Sequence, residues 1–365
     1  MSIQSTHRPG RPRPALSRRA LLAGTAAGAV GLGLAACGKG KKAGSQADSK
    51  TVTVVTHDSF HVSEDLQKAF TSETGYTLKV ATSGDAGALV NKLVLTKDAP
   101  LGDAVFGIDN TYATRALDQG VIDTSATVTL PKGAESYVVA DTPALAPIDV
   151  GDVCLNIDTG YFTGKGLTPP ATFEDLTKPE YKGLLVAINP TNSSPGMAWL
   201  LATIGHFGAG SFAGYWKQLM ANGARIAEDW SAAYETDFSG SGKGTYPIVV
   251  SYASSPSFTV SKDKSSSSTS ALLDTAFRQV EYAGVLKGAA NPEGGKAFVE
   301  WMLSKAVQED IPGQMYMYPV LPDAALPEAL TKFGPLSKSP VKVEPKEITT
   351  HREEWLNTWT EAVGK

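Results

Sequence analysis

TVTVVTHDSFHVSEDLQKAFTSETGYTLKVATSGDAGALVNKLVLTKDAPLGDAVFGIDN occupies residues 51–110. Its opening TVTVVTH has the β-branched density of a buried strand. SEDLQKAFTSETG (63–75) starts on Ser, carries acids in its first turn and closes on Gly, the punctuation of a capped amphipathic helix. YTLKVATS reads as a second strand. DAGALVNKLVLTK reads as a second helix, with Leu89, Leu93 and Val94 on its apolar side, and GDAVFGIDN as a third strand. Strands alternating with helices predict a parallel α/β sheet, whose ligand crevice lies at the carboxyl ends of the strands. Those ends are THDSF, TSGDAG and GIDN, all polar and turn-rich.

Beyond ALAPIDVGDVCLNIDTG (144–160) the pattern starts afresh with PPATFEDLTKPEYKGLLVAINP, a helix GMAWLLATIGHF and a strand YPIVVSYASSP. The Pro and Gly residues around 143–151 mark a crossing between two lobes. About 315 residues follow the N-terminal segments, more than one hydrophobic core usually spans. KGAANPEGGKAFVEWMLSKAVQEDI (287–311) predicts one amphipathic helix, and SKDKSSSSTS (261–270) a polar loop.

Toward the N-terminus, five arginines and no acid precede an apolar stretch, Ala20–Ala36. This is the layout of an export signal, too short for a comfortable membrane span. SRRALL (17–22) resembles a twin-arginine signal and LAAC (34–37) a bacterial lipobox, so Cys37 is expected to be the lipidated first residue after cleavage at 1–36. Residues 37–50 read as a flexible tether. Removing 1–36 takes five of 33 basic residues and none of 37 acidic ones, for a net charge of −9. That excludes a nucleic-acid surface and suits a cationic ligand.

Enzyme motifs are absent: no Gly-rich phosphate loop, no His-Glu-x-x-His, no G-x-S-x-G. Of the five histidines only His57 and His61 are close, without a convincing third metal ligand, so neither metal nor cofactor is expected. Aromatic residues instead recur beside turn residues in EDWSAAYETDF, VVSYASSPSF and GQMYMYPV. Such rings serve either core packing or a cleft that holds a flat cation by stacking and cation–π attraction.

VVTHDSF, GIDN, DWSAAY, SYASSPSF and MYMYPV, in that order, resemble the bacterial thiamine-binding proteins, the solute receptors of thiamine ABC importers, over residues 51–365. The resemblance implies a type II periplasmic-binding-protein fold, two α/β lobes with a ligand cleft between them. The lobes are expected at 51–148 with 281–320, and at 149–280 with 321–365. It implies a monomer that captures thiamine or its phosphates and presents it to a permease and ATPase, touching the membrane only through its lipid anchor. Trp230, Tyr234 and Tyr252 match the family's aromatics. His57 precedes Asp58, Ser59 and Phe60 where the family usually has Tyr, Phe258 stands in place of a Tyr, and Tyr316 in place of a Trp. Trp230 and Tyr252 are expected to face the ligand from opposite sides of the gap. Asp85 and Asp109 are either ligand carboxylates or helix caps. Ser193, Ser194 and Gly196, before a helix, either meet a phosphate, as the family implies, or simply cap. Two alternatives stay open: a thiaminase-like enzyme of the same fold using Cys154, and a receptor for a polyamine or ferric ion.

Overall fold

The computed structural model describes residues 50–364. The expected export signal, Cys37 and the expected tether up to residue 49 lie outside the described residues. The first strands and helices are β1 (Thr51–Thr56), α1 (Glu64–Thr74), β2 (Thr77–Thr82), α2 (Ala86–Leu95), β3 (Ala104–Asp109) and α3 (Ala113–Asp118). β2 and β3 flank β1 in parallel register. Every residue of β3 is buried, as in a strand covered on both faces, whereas β2 is mostly exposed and carries Lys79 as a guarded edge.

The second half of the fold has the same construction. After β4 (Ala146–Asp158) and α4 (Thr159–Lys165) come β5 (Leu185–Ile188), α5 (Ser194–Phe207), α6 (Phe212–Ala221), β6 (Arg225–Ala227) and β7 (Ile248–Tyr252), with β5 parallel to both β6 and β7. The chain returns through β8 (Thr269–Val285), α7 (Pro292–Met302), α8 (Lys305–Met315) and β9 (Tyr318–Pro319), and ends with α9 (Glu328–Phe333) and α10 (Pro345–Val363). Trp199, Trp216 and Trp359, all buried, pack edge to face beneath this half.

The two halves share one sheet, ordered β2-β1-β3-β8-β4-β7-β5-β6. The parallel expectation holds within each half, but β8 and β4 join them antiparallel. These long strands, 17 and 13 residues, run through both halves. Their register sets the distance between the halves. β3 ends at Asp109, opposite Glu281 of β8. β7 ends at Tyr252, opposite Val153 of β4, which itself pairs with Phe277 of β8. β7 runs opposite to β3, so the carboxyl ends of the two half-sheets face each other across four residues of β8, roughly 13 Å. This is the two-lobed type II periplasmic-binding-protein architecture.

Two local expectations need correction. Ser63 precedes α1 without capping it through its side chain; its N–H donates instead to Asp310 Oδ2 at 2.8 Å, while Gly75 closes the helix in the left-handed region as its position predicts. The single helix expected over 287–311 is two, because Ser304 takes extended backbone and starts α8 afresh. Asn291 and Pro292 do begin α7, with Asn291 Oδ1 accepting from Gly294 N–H at 2.9 Å.

One glycine shapes the gap. Gly107 sits in β3 at φ +96°, where the pairing with β8 shifts register, and a Cβ there would lie 2.0 Å from His57 Cδ2. The bulge thus makes room for the His57 ring. Gly107→Ala is expected to destabilise the fold by about 1–3 kcal/mol, through strained backbone and a displaced ring. Urea unfolding checks this, and an unchanged midpoint would refute it.

Candidate functional site

A cavity of about 380 Å³ opens between the facing strand ends. One wall comes from the turn after β1 (His57, Asp58, Ser59, His61) and from Asp85 before α2. The opposite wall comes from Ser194 and Pro195 at the start of α5, Trp230, Ser231 and Glu235 after β6, and Tyr252 at the end of β7. Glu281 of β8 lies at the floor, and residues 314–317, at and just past the C-terminal end of α8, cover one side. Four lining residues are carboxylic acids, and the lining contains neither Lys nor Arg.

The rings are arranged in a tier. Trp230 stacks on Tyr234 at 5.1 Å between centroids and 12° between planes, and its indole N–H donates to Ser251 Oγ at 3.0 Å. Tyr234 is therefore buried behind Trp230 and supports it. Tyr252 stands beside Trp230 in the same half, 6.4 Å away, so these two do not oppose each other as expected. The ring that meets Trp230 edge-on is Tyr316, at 6.5 Å. Tyr316 caps α8 at φ +64°, a left-handed conformation that side chains other than glycine rarely adopt. Phe258 packs against Tyr316 and is 40% exposed; it backs that ring and does not line the cavity.

The carboxyl candidates separate. Asp85 lines the cavity and also caps: its Oδ1 accepts from Ala86 N–H at 2.6 Å and, across the gap, from Ser194 N–H at 3.3 Å. Asp109 is fully buried beneath the floor, where Oδ1 accepts from Thr111 N–H and Oγ1 and from Tyr112 N–H. It is a turn cap and does not line the cavity. Ser193 and Gly196 are likewise buried, Ser193 Oγ accepting from Gly196 N–H at 3.4 Å, so of these three candidates the one that reaches the cavity is Ser194. Ser194 Oγ is buried without a hydrogen-bond partner.

Glu281 was not singled out from sequence, although an acid in the apolar run AGV-flanked QVEY was the available signal. Its Oε1 lies 3.3 Å from His57 Nε2 and accepts from Gln279 Nε2 at 3.3 Å. Its cross-strand neighbours on either side are Asp109 and Asp149, so three carboxyl groups share one row of the sheet. Burial pushes Asp109 up to about 7, and the charge of Glu281 adds to this. Burial and then Glu281 push Asp149 well above the carboxylate range. For His57, burial pulls the pKa down, but Glu281, then Asp85 and Asp58, outweigh it and leave the net above the ordinary value.

Cys154 faces away from this chemistry. It is fully buried on β4 in a small cluster with Ala253 and Ala276, and burial raises its thiol pKa far from reactivity.

Fold and site together define a two-lobed receptor for a small solute. Residues 103–334 match the family described as bacterial extracellular solute-binding proteins, and the chain belongs to that family. It is 27% identical over 326 residues to the thiamine-binding periplasmic protein of Salmonella typhimurium, covering 86% of this chain and 94% of that one. The corresponding protein of Brucella suis is 27% identical over 329 residues, covering 86% and 92%. A solved periplasmic thiamin binding protein superposes with TM-score 0.75 at 25% identity, covering 86% of this chain and 96% of that one.

The buried row has a testable consequence. Asp109 is raised from 3.8 to about 7, so its contribution to stability is fully present below the lower value and is lost as pH rises through the higher. Asp109→Asn is therefore expected to flatten the decline in melting temperature between about pH 4 and 8 relative to the parent protein. Parallel curves for the two proteins would contradict it.

Proposed function

We propose that this chain captures thiamine outside the cytoplasm and delivers it to an ABC importer, without breaking a bond. The observation that carries the reading is a cavity lined by Trp230, Tyr252 and Tyr316 that contains four carboxylic acids and no Lys or Arg, set between two facing half-sheets. Thiamine joins two flat aromatic rings through a methylene bridge, and one of them is permanently cationic. Trp230 and Tyr316 offer ring surfaces for stacking, Glu281, Asp58 and Asp85 the negative field, and Tyr252 and His57 polar edges. The relatives named for thiamine span nearly their whole length on this chain and support the same ligand class.

Delivery fits an exported, lipid-anchored monomer: signal at 1–36, diacylglycerol on Cys37, and a short tether to the binding unit. Cys37→Ala is expected to leave the protein unprocessed or released into the medium, since one cysteine supplies the whole anchor. Membrane fractionation tests this, and a cleaved, membrane-retained variant would refute it. The alternative of catalysis by Cys154 has no support, because that thiol has no path to the cavity. Against the ferric alternative stands the sequence pattern: iron receptors tend to show adjacent tyrosines, and this sequence has no Tyr-Tyr pair.

At the α5 end, Asp85 already meets the first N–H of the helix, so a phosphate reaching Ser194 has to displace it. Ser194→Ala is expected to weaken phosphorylated thiamine more than thiamine; equal losses would leave the serine a capping residue. The central test is calorimetric titration with thiamine, spermidine and ferric citrate. A stacked ring on a desolvated cation is worth on the order of 2 kcal/mol, so Trp230→Ala is expected to weaken thiamine roughly thirtyfold while the ligand-free protein keeps a cooperative melt. Unchanged thiamine affinity, or stronger binding of spermidine by the parent protein, would overturn the proposal.

A further inference from the structure

We propose that Glu281 is the residue that makes the cavity selective for a cationic ligand, and that the ligand's positive charge takes the place of a proton on His57. This rests on the reading of the cavity as a cation site and adds which charge does the selecting and what it exchanges for.

Glu281 stands on the strand that the two half-sheets share, opposite the carboxyl end of β3 and four residues from Phe277, which lies level with the end of β7, and it lines the cavity from the floor. Its row places Asp109 on one side and Asp149 on the other, with Asp149 fully buried against Glu281. The basic side chain against this row is His57, 3.3 Å away and only 5% exposed. The groups acting on His57 are thus Glu281 from β8, Asp85 ahead of α2 and Asp58 on its own turn, with Asp109 and Asp149 behind Glu281 and the Tyr252 hydroxyl near the same floor.

Two features pull His57 in opposite directions. The surrounding carboxyls favour the imidazolium. Yet Nδ1 accepts the Ser59 N–H at 3.2 Å, which requires that nitrogen to carry no proton. In this arrangement the ring is neutral and does not offset the acidic row beside it. Without a cation beside Glu281, the ring exchanges this arrangement for one in which Nδ1 gives up the Ser59 N–H and takes a proton, drawn by the carboxylate 3.3 Å from Nε2. When a cation enters beside Glu281, the Nδ1–H bond breaks heterolytically. Its electron pair stays on Nδ1 to receive the Ser59 N–H, and the proton goes to solvent. One positive charge arrives and one leaves, so the buried row never holds an extra charge of either sign.

The exchange is read by titrating thiamine calorimetrically into the parent protein, in buffers of different ionisation enthalpy across a pH series. Release approaching one proton is expected where the empty protein holds His57 protonated, and affinity should rise by up to tenfold per pH unit until that ring titrates. His57→Gln is expected to abolish the release and flatten the pH dependence. A neutral thiophene analogue of thiamine, carbon replacing the charged ring nitrogen, isolates the charge. The parent protein should prefer thiamine over it, and Glu281→Gln should cut that preference at least about tenfold. Three results would overturn the inference: no proton release on thiamine binding, release that persists in His57→Gln, or an unchanged preference in Glu281→Gln. If the parent protein binds no thiamine at all, the functional reading falls and this inference with it; thiamine binding without proton release removes this inference alone.

Discussion

The register of β8 against its two neighbours sets everything in the cleft. β3 joins β8 at 281–285, and β4 carries β7 at 153–157, alongside Phe277 of β8. A one-residue slip in a sheet turns every side chain to the other face. Here it would remove Glu281 from the floor and drive a neighbouring apolar residue into it. A longer offset would part Trp230 from Tyr316. The bulges that interrupt pairing at Phe106/Ile108, Pro147/Asp149 and Val153/Leu155 lie around this crossing, where the shared strands bend between the halves.

The second constraint is electrostatic. A carboxyl row buried between half-sheets opposes folding unless protons, hydrogen bonds or a cation neutralise it. Asp109 meets it with three donors to one oxygen and a raised pKa, Asp149 with a pKa pushed well above the carboxylate range, and Glu281 through Gln279 and His57. The α5 end solves the converse problem. Its first N–H would attract an anion, and Asp85 supplies a carboxyl oxygen from across the gap. Cation affinity at the floor and an internal anion at the rim both follow from where carboxylates are placed relative to strand and helix ends.

Much of this was legible in the sequence because it rests on local patterns. The alternation of strands and helices over 51–110 marked the first half-sheet and the polar strand ends that line the cavity, including His57, Asp58, Ser59 and Asp85. The aromatic turns marked Trp230, Tyr252 and Tyr316. What stayed hidden depends on non-local pairing. Which wall a ring occupies follows from the direction of β7 relative to β3, so the expected opposition of Trp230 and Tyr252 was misplaced. Tyr234 and Phe258 look like Trp230 in sequence, but packing turns them into supports. Asp109 and Asp85 share the same strand-end context and differ only in burial. Glu281 gained its importance from neighbours 172 and 132 positions earlier in the chain, Asp109 and Asp149, which no window around residue 281 contains.

The claim that this gap is shaped for one aromatic monocation is tested most directly by native mass spectrometry of the freshly purified protein, before and after adding an equimolar mixture of thiamine, spermidine and ferric citrate. A single adduct of thiamine mass, retained on dilution and lost in Trp230→Ala, is the predicted result. A polyamine or iron adduct, or no thiamine adduct from the mixture, would contradict the account.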